Sequence, residues 1–314
     1  KAYQAALSRF NYGPDMRADI YSAIARCYLA MDDWDSARAP LLEAFRSAPD
    51  FHRRNRAATL LATSYLKTLK LEDLYPMVPY LLRRDSHAAR SIAFNLSALK
   101  AGDELFMDER YREAFWMFRL VFSYEEVQQK TEEHLEYLKR LSDYEKRYLT
   151  NPRRLMRIME WIGDTEFELK ALAEIEDYDQ DLFYRIARGY METKRYREAC
   201  EGFLHLNLIA DRERAEESLY LAFVCAARLS PPDRCYTIGR QYMERYPAGK
   251  FYDDLTLLIG QMYAQEQRWT DLISHLSEVL LVRPQHSAAA EALFLISYAH
   301  FMEEQFEQAI TRLR

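Results

Sequence analysis

The chain has 314 residues, of which only 8 are Gly and 10 are Pro, whereas average usage would give about 22 and 16. Because sheet-rich folds need more turn-forming residues than this, the composition predicts a fold that is nearly all helix. Hydrophobic residues at 49% exclude a disordered chain, and a net charge of −6 argues against a protein that binds nucleic acid through its overall charge.

One short signature recurs along the chain: an aromatic residue, a small or apolar residue three positions later, and an apolar residue four positions beyond that. In chain order its members are Tyr3-Ala6-Phe10, Trp34-Ala37-Leu41, Tyr111-Ala114-Phe118, Tyr196-Ala199-Phe203, Trp269-Leu272-Leu276 and Phe306-Ala309-Leu313. With weaker copies centred on Leu74 and Cys235, the middle positions are separated by 31, 37, 40, 85, 36, 37 and 37 residues. A period of about 37 matches two helices of about 14 residues and two turns.

A second regular element precedes most copies of the signature. It consists of Leu or Ile, then Ala or Gly, then Tyr three residues later, as in Ile24-Ala25-Tyr28, Leu61-Ala62-Tyr65, Ile186-Ala187-Tyr190 and Ile259-Gly260-Tyr263. The small residue predicts a close approach between two helices, with the aromatic side chain beside it. Several units end at a proline, which is expected to stop the second helix: Pro14, Pro49, Pro247 and Pro284.

These positions resemble the tetratricopeptide repeat, which has a large residue, Leu-Gly/Ala, Tyr, Ala, Phe/Leu, Ala and Pro at fixed offsets. The best copy is formed by Tyr21, Ile24, Ala25, Tyr28, Trp34, Ala37, Leu41, Ala44 and Pro49. The resemblance implies an all-α, right-handed α-solenoid of stacked antiparallel helix pairs. The run Arg245-Tyr246-Pro247 is also similar to repeats of bacterial envelope proteins. The sequence leaves the location open between the bacterial periplasm or envelope and the cytoplasm.

The repeat phase is lost in the gap of 85 residues. Residues 124–149 predict one long amphipathic helix with charged pairs such as Glu136 and Arg140, and a second helix is predicted from about Arg153 to Ile175. This segment is interpreted either as an irregular repeat that continues the stack or as a hinge or projecting hairpin that binds a partner. We therefore expect three parts: repeats in 1–123, a long-helix pair in 124–178, and repeats in 179–314.

Both ends fall inside a repeat, because Tyr3-Ala6 and Phe306-Ala309 each belong to a second helix. Since an unstacked repeat exposes an apolar face, we expect a slice of a longer protein and allow for self-association through the open ends. The apolar stretches are short, as in residues 219–229, so no membrane span is predicted.

No catalytic or cofactor motif is present in the sequence. The 7 histidines form no H-E-x-x-H, and the few glycines form no phosphate-binding loop. The 4 cysteines form no C-x-x-C pair; each is predicted to be a buried hydrophobe, with a Cys225–Cys235 bond left open. We therefore predict that the chain is not an enzyme and binds no cofactor or metal.

The first hypothesis for function is a protein-interaction scaffold or adaptor in a bacterial multiprotein assembly. By analogy with the tetratricopeptide repeat, first helices line a concave face that binds peptide or helix segments. The candidate protein-binding residues on those helices are Arg26, Arg56, Lys67, Tyr184, Arg188, Tyr220, Arg228 and Tyr298. The stretch Phe51–Arg56 is predicted as a basic patch in an inter-repeat loop, either merely solvated or a docking site for an acidic partner. The alternatives are a regulatory or substrate-recruiting arm of a larger enzyme and a self-associating structural subunit.

Overall fold

The computed structural model describes residues 12–83, 85–148 and 151–313, without the side chains of Arg153, Arg312 and Leu313. The first signature, Tyr3-Ala6-Phe10, lies outside these residues. The described residues contain helices and turns but no β-strand, so the predicted all-α fold is confirmed. None of the helices in this part of the chain combines the length and apolar character needed to cross a membrane.

The chain divides into two compact units, residues 1–189 and 190–314. The first unit contains α1 (Pro14–Leu29), α2 (Trp34–Ser47), α3 (Phe51–Leu66), the short α4 (Leu71–Leu74) and α5 (Val78–Leu81), α6 (Ile92–Met107), α7 (Tyr111–Leu120), α8 (Tyr124–Tyr148) and α9 (Pro152–Ala173). Helix α10 (Asp179–Glu192) crosses the division. The second unit contains α11 (Tyr196–Ile209), α12 (Arg212–Ala226), α13 (Asp233–Arg245), α14 (Tyr252–Gln265), α15 (Trp269–Val282), α16 (Ala289–Met302) and α17 (Phe306–Leu313).

Within each unit, consecutive helices pack against one another as pairs, and each pair packs on the next. The repeated small residues lie at the centre of these contacts: Ala37, Ala114 and Ala199 are completely buried, as is Leu272 in the same position. The apolar residue four positions later is at most 1% exposed in each of these copies. The signature positions are therefore the residues through which the helices of a pair pack, which confirms the stacked-pair architecture predicted from the sequence.

The glycine positions show how closely the helices approach. A Cβ atom at Gly102 on α6 would collide with the ring of Phe118 on α7, and one at Gly260 on α14 would lie 2.9 Å from a methyl carbon of Leu276. Gly163 on α9 has open space at the equivalent point. Gly102 and Gly260 are therefore required by packing, whereas Gly163 is not.

Six of the turns between the first and second helix of a pair share one conformation. The six described non-glycine residues with positive φ all lie two residues before the start of a second helix: Asp32, Leu69, Glu109, Lys194, Gln267 and Glu304. The following N–H donates to a carbonyl five residues back, as Asp33 does to Tyr28 at 3.0 Å. This is the Schellman arrangement, which normally favours Gly. Here residues other than Gly adopt the left-handed conformation, which costs about 1–2 kcal/mol for each residue. The packing of the helix pair must offset this cost.

Three buried asparagines connect successive helices through the backbone. Asn95 donates to the carbonyls of Ala88 and Ser91, both at 2.9 Å, and accepts from the N–H of Phe122 at 2.7 Å. Asn55 makes a comparable set, since it donates to the Tyr80 carbonyl and accepts from the N–H of His87. Asn207 donates to the Ala215 carbonyl and accepts from the Arg245 side chain. Asn55 and Asn95 thereby bond to backbone groups in the irregular chain between helices.

Candidate functional site

The long-helix pair α8–α9 folds back onto earlier helices of the first unit. Glu160 on α9 pairs with Arg26 on α1 at 2.7 Å, and Asp164 pairs with Arg56 on α3 at 3.1 Å. The sequence left two interpretations of residues 124–175 open, a continuing repeat and a projecting hairpin. The observed hairpin instead carries α9 to the surface on which the first helices were predicted to bind a partner.

A third arginine extends this surface. Arg90 lies in a short helical turn ahead of α6, and its positive charge opposes the rise that burial causes in the pKa of Glu168 on α9. We call the surface formed by Arg26, Arg56 and Arg90 the arginine face. It takes one basic side chain from each of three successive repeats.

Helix α9 has three distinct sides. Ile158, Thr165 and Leu172 recur every seven residues and are at most 5% exposed. The acids that approach the arginine face lie four residues apart on another side, because each residue turns the helix by about 100°. Met156 and Phe167, each 72% exposed, mark the third side. One stripe of α9 is therefore buried, one is ionic, and one is open.

The start of α8 anchors the hairpin. The Asp179 carboxylate accepts from the N–H groups of Tyr124 and Glu125, at 2.5 and 3.3 Å, and so caps the start of α8. Tyr124 donates its hydroxyl to the Leu172 carbonyl at 3.1 Å, and Tyr178 donates to the Phe122 carbonyl at 3.0 Å. These bonds fix the base of the hairpin independently of the arginine face.

The ionic contact between α9 and the first helices is weak. The side chains of Arg26, Glu160, Arg56 and Asp164 are 39% to 54% exposed. Ion pairs at this exposure contribute about 0.2–1 kcal/mol each. A further pair of opposite orientation joins Arg157 of α9 to Asp19 of α1 at 3.5 Å. The contact is specific in charge pattern but contributes little free energy.

Titratable side chains collect where α8 and α9 meet the arginine face. Burial lowers the pKa of His134 to about 3, helped by repulsion from Arg90, His52 and Arg56. Burial also places the pKa of His87 well below its usual range. The pKa of Glu168 rises to about 7 because burial outweighs the attraction of Arg56 and Arg90.

These shifts predict that acid destabilises the first unit. The unfolded chain binds a proton at His134 near pH 6.5, whereas the folded chain does so only near pH 3, so stability falls as the pH drops through this window. His87 acts in the same direction. Glu168 opposes them, because its folded form holds an extra proton between about pH 4.5 and 7 and gains stability there as the pH falls.

We expect His134→Gln to reduce the stability lost between pH 7 and pH 5 by about 1 kcal/mol, a value that allows for solvent screening of this half-buried group. Urea unfolding at a series of pH values measures this effect. His205→Gln, at an exposed position, is the matched control and should leave the profile unchanged. An unaltered profile for His134→Gln would show that another group causes the acid sensitivity.

The structure places the candidate residues of the first unit in different settings. Arg26 and Arg56 lie on the arginine face. Lys67 follows the end of α3, 4.3 Å above the Trp34 ring and 3.4 Å from Asp32, so it contacts the turn between α1 and α2 in the preceding repeat. Tyr184 and Arg188 are partly exposed on α10.

The candidate residues of the second unit are also separated. Tyr220 stacks on Phe251 with ring centroids 4.4 Å apart, and Arg228 is exposed in the turn after α12. Tyr298 is 42% exposed and packs edge-on against Trp269 at 5.7 Å. It helps to line an apolar groove of about 350 Å³ formed by Phe294, Ser297, Tyr298, Phe301, Phe306, Ala309 and Ile310.

Two sequence predictions are wrong. The basic stretch Phe51–Arg56 is the first part of helix α3 and not a loop, because Asp50 caps the helix by accepting from the N–H of Arg53 at 2.9 Å. Cys27 is exposed, since it lies on the outer side of α1, whereas Cys200, Cys225 and Cys235 are buried as predicted. None of the 4 cysteines forms a disulfide, so the Cys225–Cys235 bond left open by the sequence is not formed.

Sequence reasoning missed the acids of α9 and Arg90 as members of a site. The spacing of Glu160, Asp164 and Glu168 was a readable signal, because it places them on one side of a helix. Nothing in the local sequence indicated that this side faces Arg26 and Arg56. Among the described residues, no group of three or more His, Cys, Asp or Glu side chains is arranged to hold a metal ion.

No protein-family model matches the chain, and no curated protein matches it. Solved structures to which it is similar include PilF of Pseudomonas aeruginosa, the TPR domain of P58(IPK), and Acl4, the assembly chaperone of RpL4. Their sequence identities are 18%, 15% and 14%, and the TM-scores are 0.25, 0.24 and 0.24. The alignments cover 77%, 94% and 94% of this chain and 98%, 81% and 99% of those chains.

These similarities are low, and no function is taken from them. The resemblance to the tetratricopeptide repeat is confirmed for the fold by the chain's own helix pairs, in which the small and apolar signature positions are buried.

Proposed function

We propose that this chain is a non-catalytic scaffold that binds segments of other proteins on the surfaces of its first helices. The observation that supports this most directly is the seating of α9 on the arginine face through Glu160 and Asp164. A surface that accepts the acidic side of one helix has the geometry and charge to accept another.

The chemistry of the arginine face suits protein recognition. Arg offers several donors in a planar fork that pairs with carboxylates, and it is enriched among the residues that dominate binding energy at interfaces. Because the three arginines come from successive repeats, they form a row along which a helix or extended segment can lie. Tyr220, Arg228 and Tyr298 stay candidates for separate contacts on the second unit.

Affinity capture from a lysate of the source organism, with partners identified by mass spectrometry, tests this proposal. We expect the double variant Arg26→Glu, Arg56→Glu to lose at least one partner that the unaltered chain retains, because reversed charges repel an acidic segment. The matched control is Arg112→Glu, Arg119→Glu, which makes the same charge change at exposed positions of the second helix α7. Equal capture by both variants would reject the arginine face as a binding surface.

A role in a bacterial multiprotein assembly is part of this proposal. The regulatory or substrate-recruiting arm of an enzyme stays an alternative, and a full-length sequence would distinguish it. Self-association also stays a prediction; the apolar groove around Phe301 and Phe306 favours it, because such exposed patches often mark interaction sites.

A further inference from the structure

We infer that helix α9 is a displaceable internal occupant of the arginine face, and that the partner is an acidic helix that takes its place. This inference rests on the proposed function and adds the chemistry of the partner and the regulation of the site.

The charge pattern of α9 specifies what the arginine face recognises. Glu160 and Asp164, four residues apart, pair with Arg26 and Arg56 in that order. Residues four apart are separated by about 6 Å along a helix but by about 13 Å along an extended segment. A helix with acids four residues apart reproduces this spacing, as α9 does, and the expected partner helix carries two carboxylates at that separation.

One pair of opposite polarity sets the register. Arg157 precedes Glu160 by three residues and approaches Asp19 on α1, 3.5 Å away. A basic residue three positions before the first acid is thus part of the pattern. The charge sequence basic, acidic, acidic at offsets 0, 3 and 7 follows from residues 157, 160 and 164.

The contact is suited to exchange. Its ionic side chains are half-exposed, so solvent and salt already compete for them. The buried stripe of α9, Ile158 to Leu172, is on a different side from the acids. An incoming helix can therefore supply the same carboxylates without having to reproduce a buried apolar contact.

A direct test uses a fluorescently labelled peptide of residues 152–173 and fluorescence anisotropy. In the unaltered chain α9 occupies the face, so binding is expected to be weak. In the full chain with Glu160→Lys and Asp164→Lys, the internal helix is repelled, and the peptide should bind at least tenfold more tightly. A peptide carrying the same two lysine substitutions is the matched control and should not gain affinity.

A charge swap checks that the effect comes from these pairs. The quadruple variant Arg26→Glu, Arg56→Glu, Glu160→Lys, Asp164→Lys restores opposite charges across the contact with the signs exchanged. Its affinity for the unaltered peptide should return to the weak level of the unaltered chain. An equal gain for the lysine peptide would overturn the inference, as would no gain for the Glu160→Lys, Asp164→Lys chain with a peptide shown by circular dichroism to be helical.

A measurement of distance covers the case in which the isolated peptide is a poor helix. Cys27 on α1 is naturally exposed and the other cysteines are buried, so nitroxide labels can be placed at Cys27 and at Met156→Cys on α9. We expect a narrow distance distribution in the unaltered chain and a longer, broader one after Glu160→Lys and Asp164→Lys. An unchanged distribution, with the helical circular-dichroism spectrum retained, would overturn the inference.

The two proposals fail in different ways. Suppose that the peptide binds the Glu160→Lys, Asp164→Lys chain but that no captured protein depends on Arg26 and Arg56. The arginine face then binds only α9 of its own chain, and the proposed function is wrong. Suppose instead that a captured partner depends on those arginines but that the Glu160→Lys, Asp164→Lys chain retains no more of it than the unaltered chain does. Helix α9 then does not compete with the partner, and the further inference is wrong while the proposed function stands.

Discussion

Replacement of Phe118 by Ala should lower the free energy of unfolding by about 3–5 kcal/mol. Phe118 is fully buried on α7 and occupies the apolar position of the repeat signature, where its ring lies directly against Gly102 of α6. Removing the ring leaves a cavity between two helices that cannot collapse without moving the whole pair. Urea unfolding followed by circular dichroism measures the loss. Trp116→Ala, at a position 56% exposed on the same helix, should change stability by less than about 0.5 kcal/mol.

The Gly102 position makes this prediction specific to the helix contact. Gly102→Ala should cost about 1–3 kcal/mol, because the added methyl group collides with the Phe118 ring. In the Phe118→Ala background the same change should become neutral or stabilising, since Ala is a better helix former than Gly by about 1 kcal/mol. Gly163→Ala, where the space is open, should be stabilising by about 0.5–1 kcal/mol. Equal costs for Gly102→Ala in both backgrounds would contradict the proposed contact.

Asn95→Ala should destabilise the first unit by about 1–3 kcal/mol, because it leaves the Phe122 N–H without its partner and removes one of the two bonds to each of the Ala88 and Ser91 carbonyls. The side chain is 1% exposed and bonds to Ala88, Ser91 and Phe122. These bonds hold the backbone before α6 and the turn after α7, so their loss loosens both ends of one repeat. The free energy of unfolding in urea, compared with that of the unaltered chain, gives the cost.

The Asn95→Asp variant separates lost bonds from lost volume. Aspartate keeps the shape and an acceptor for the Phe122 N–H, but when ionised it cannot donate to the two carbonyls. At neutral pH we expect Asn95→Asp to lower the free energy of unfolding at least as much as Asn95→Ala does. As the pH is lowered, the carboxyl group is protonated and can donate a hydrogen bond, so part of the loss relative to the unaltered chain should be recovered. A cost below about 1 kcal/mol for Asn95→Ala would show that these backbone groups find other partners.

The local sequence predicted the helices well because each repeat carries its own periodicity. The predicted long helices, 124–149 and about 153–175, correspond to Tyr124–Tyr148 and Pro152–Ala173 in the structure. The left-handed turns were not predictable, since Leu69, Lys194 and Gln267 are not residues that favour positive φ. At these positions the packing of the two helices imposes the backbone, whatever the side chain.

The stack of helix pairs can be predicted from the amino-acid sequence alone, because burial of small and apolar residues about every 37 positions is a local property of each repeat. The contact of α9 with Arg26 and Arg56 is seen only in the folded chain. An acidic stripe on a helix is equally compatible with solvent and with a distant basic surface. Arg26 and Glu160 are 134 residues apart in the chain. Whether the acids of α9 face solvent or these arginines therefore depends on how the α8–α9 hairpin is anchored, for example by the Asp179 carboxylate that caps α8.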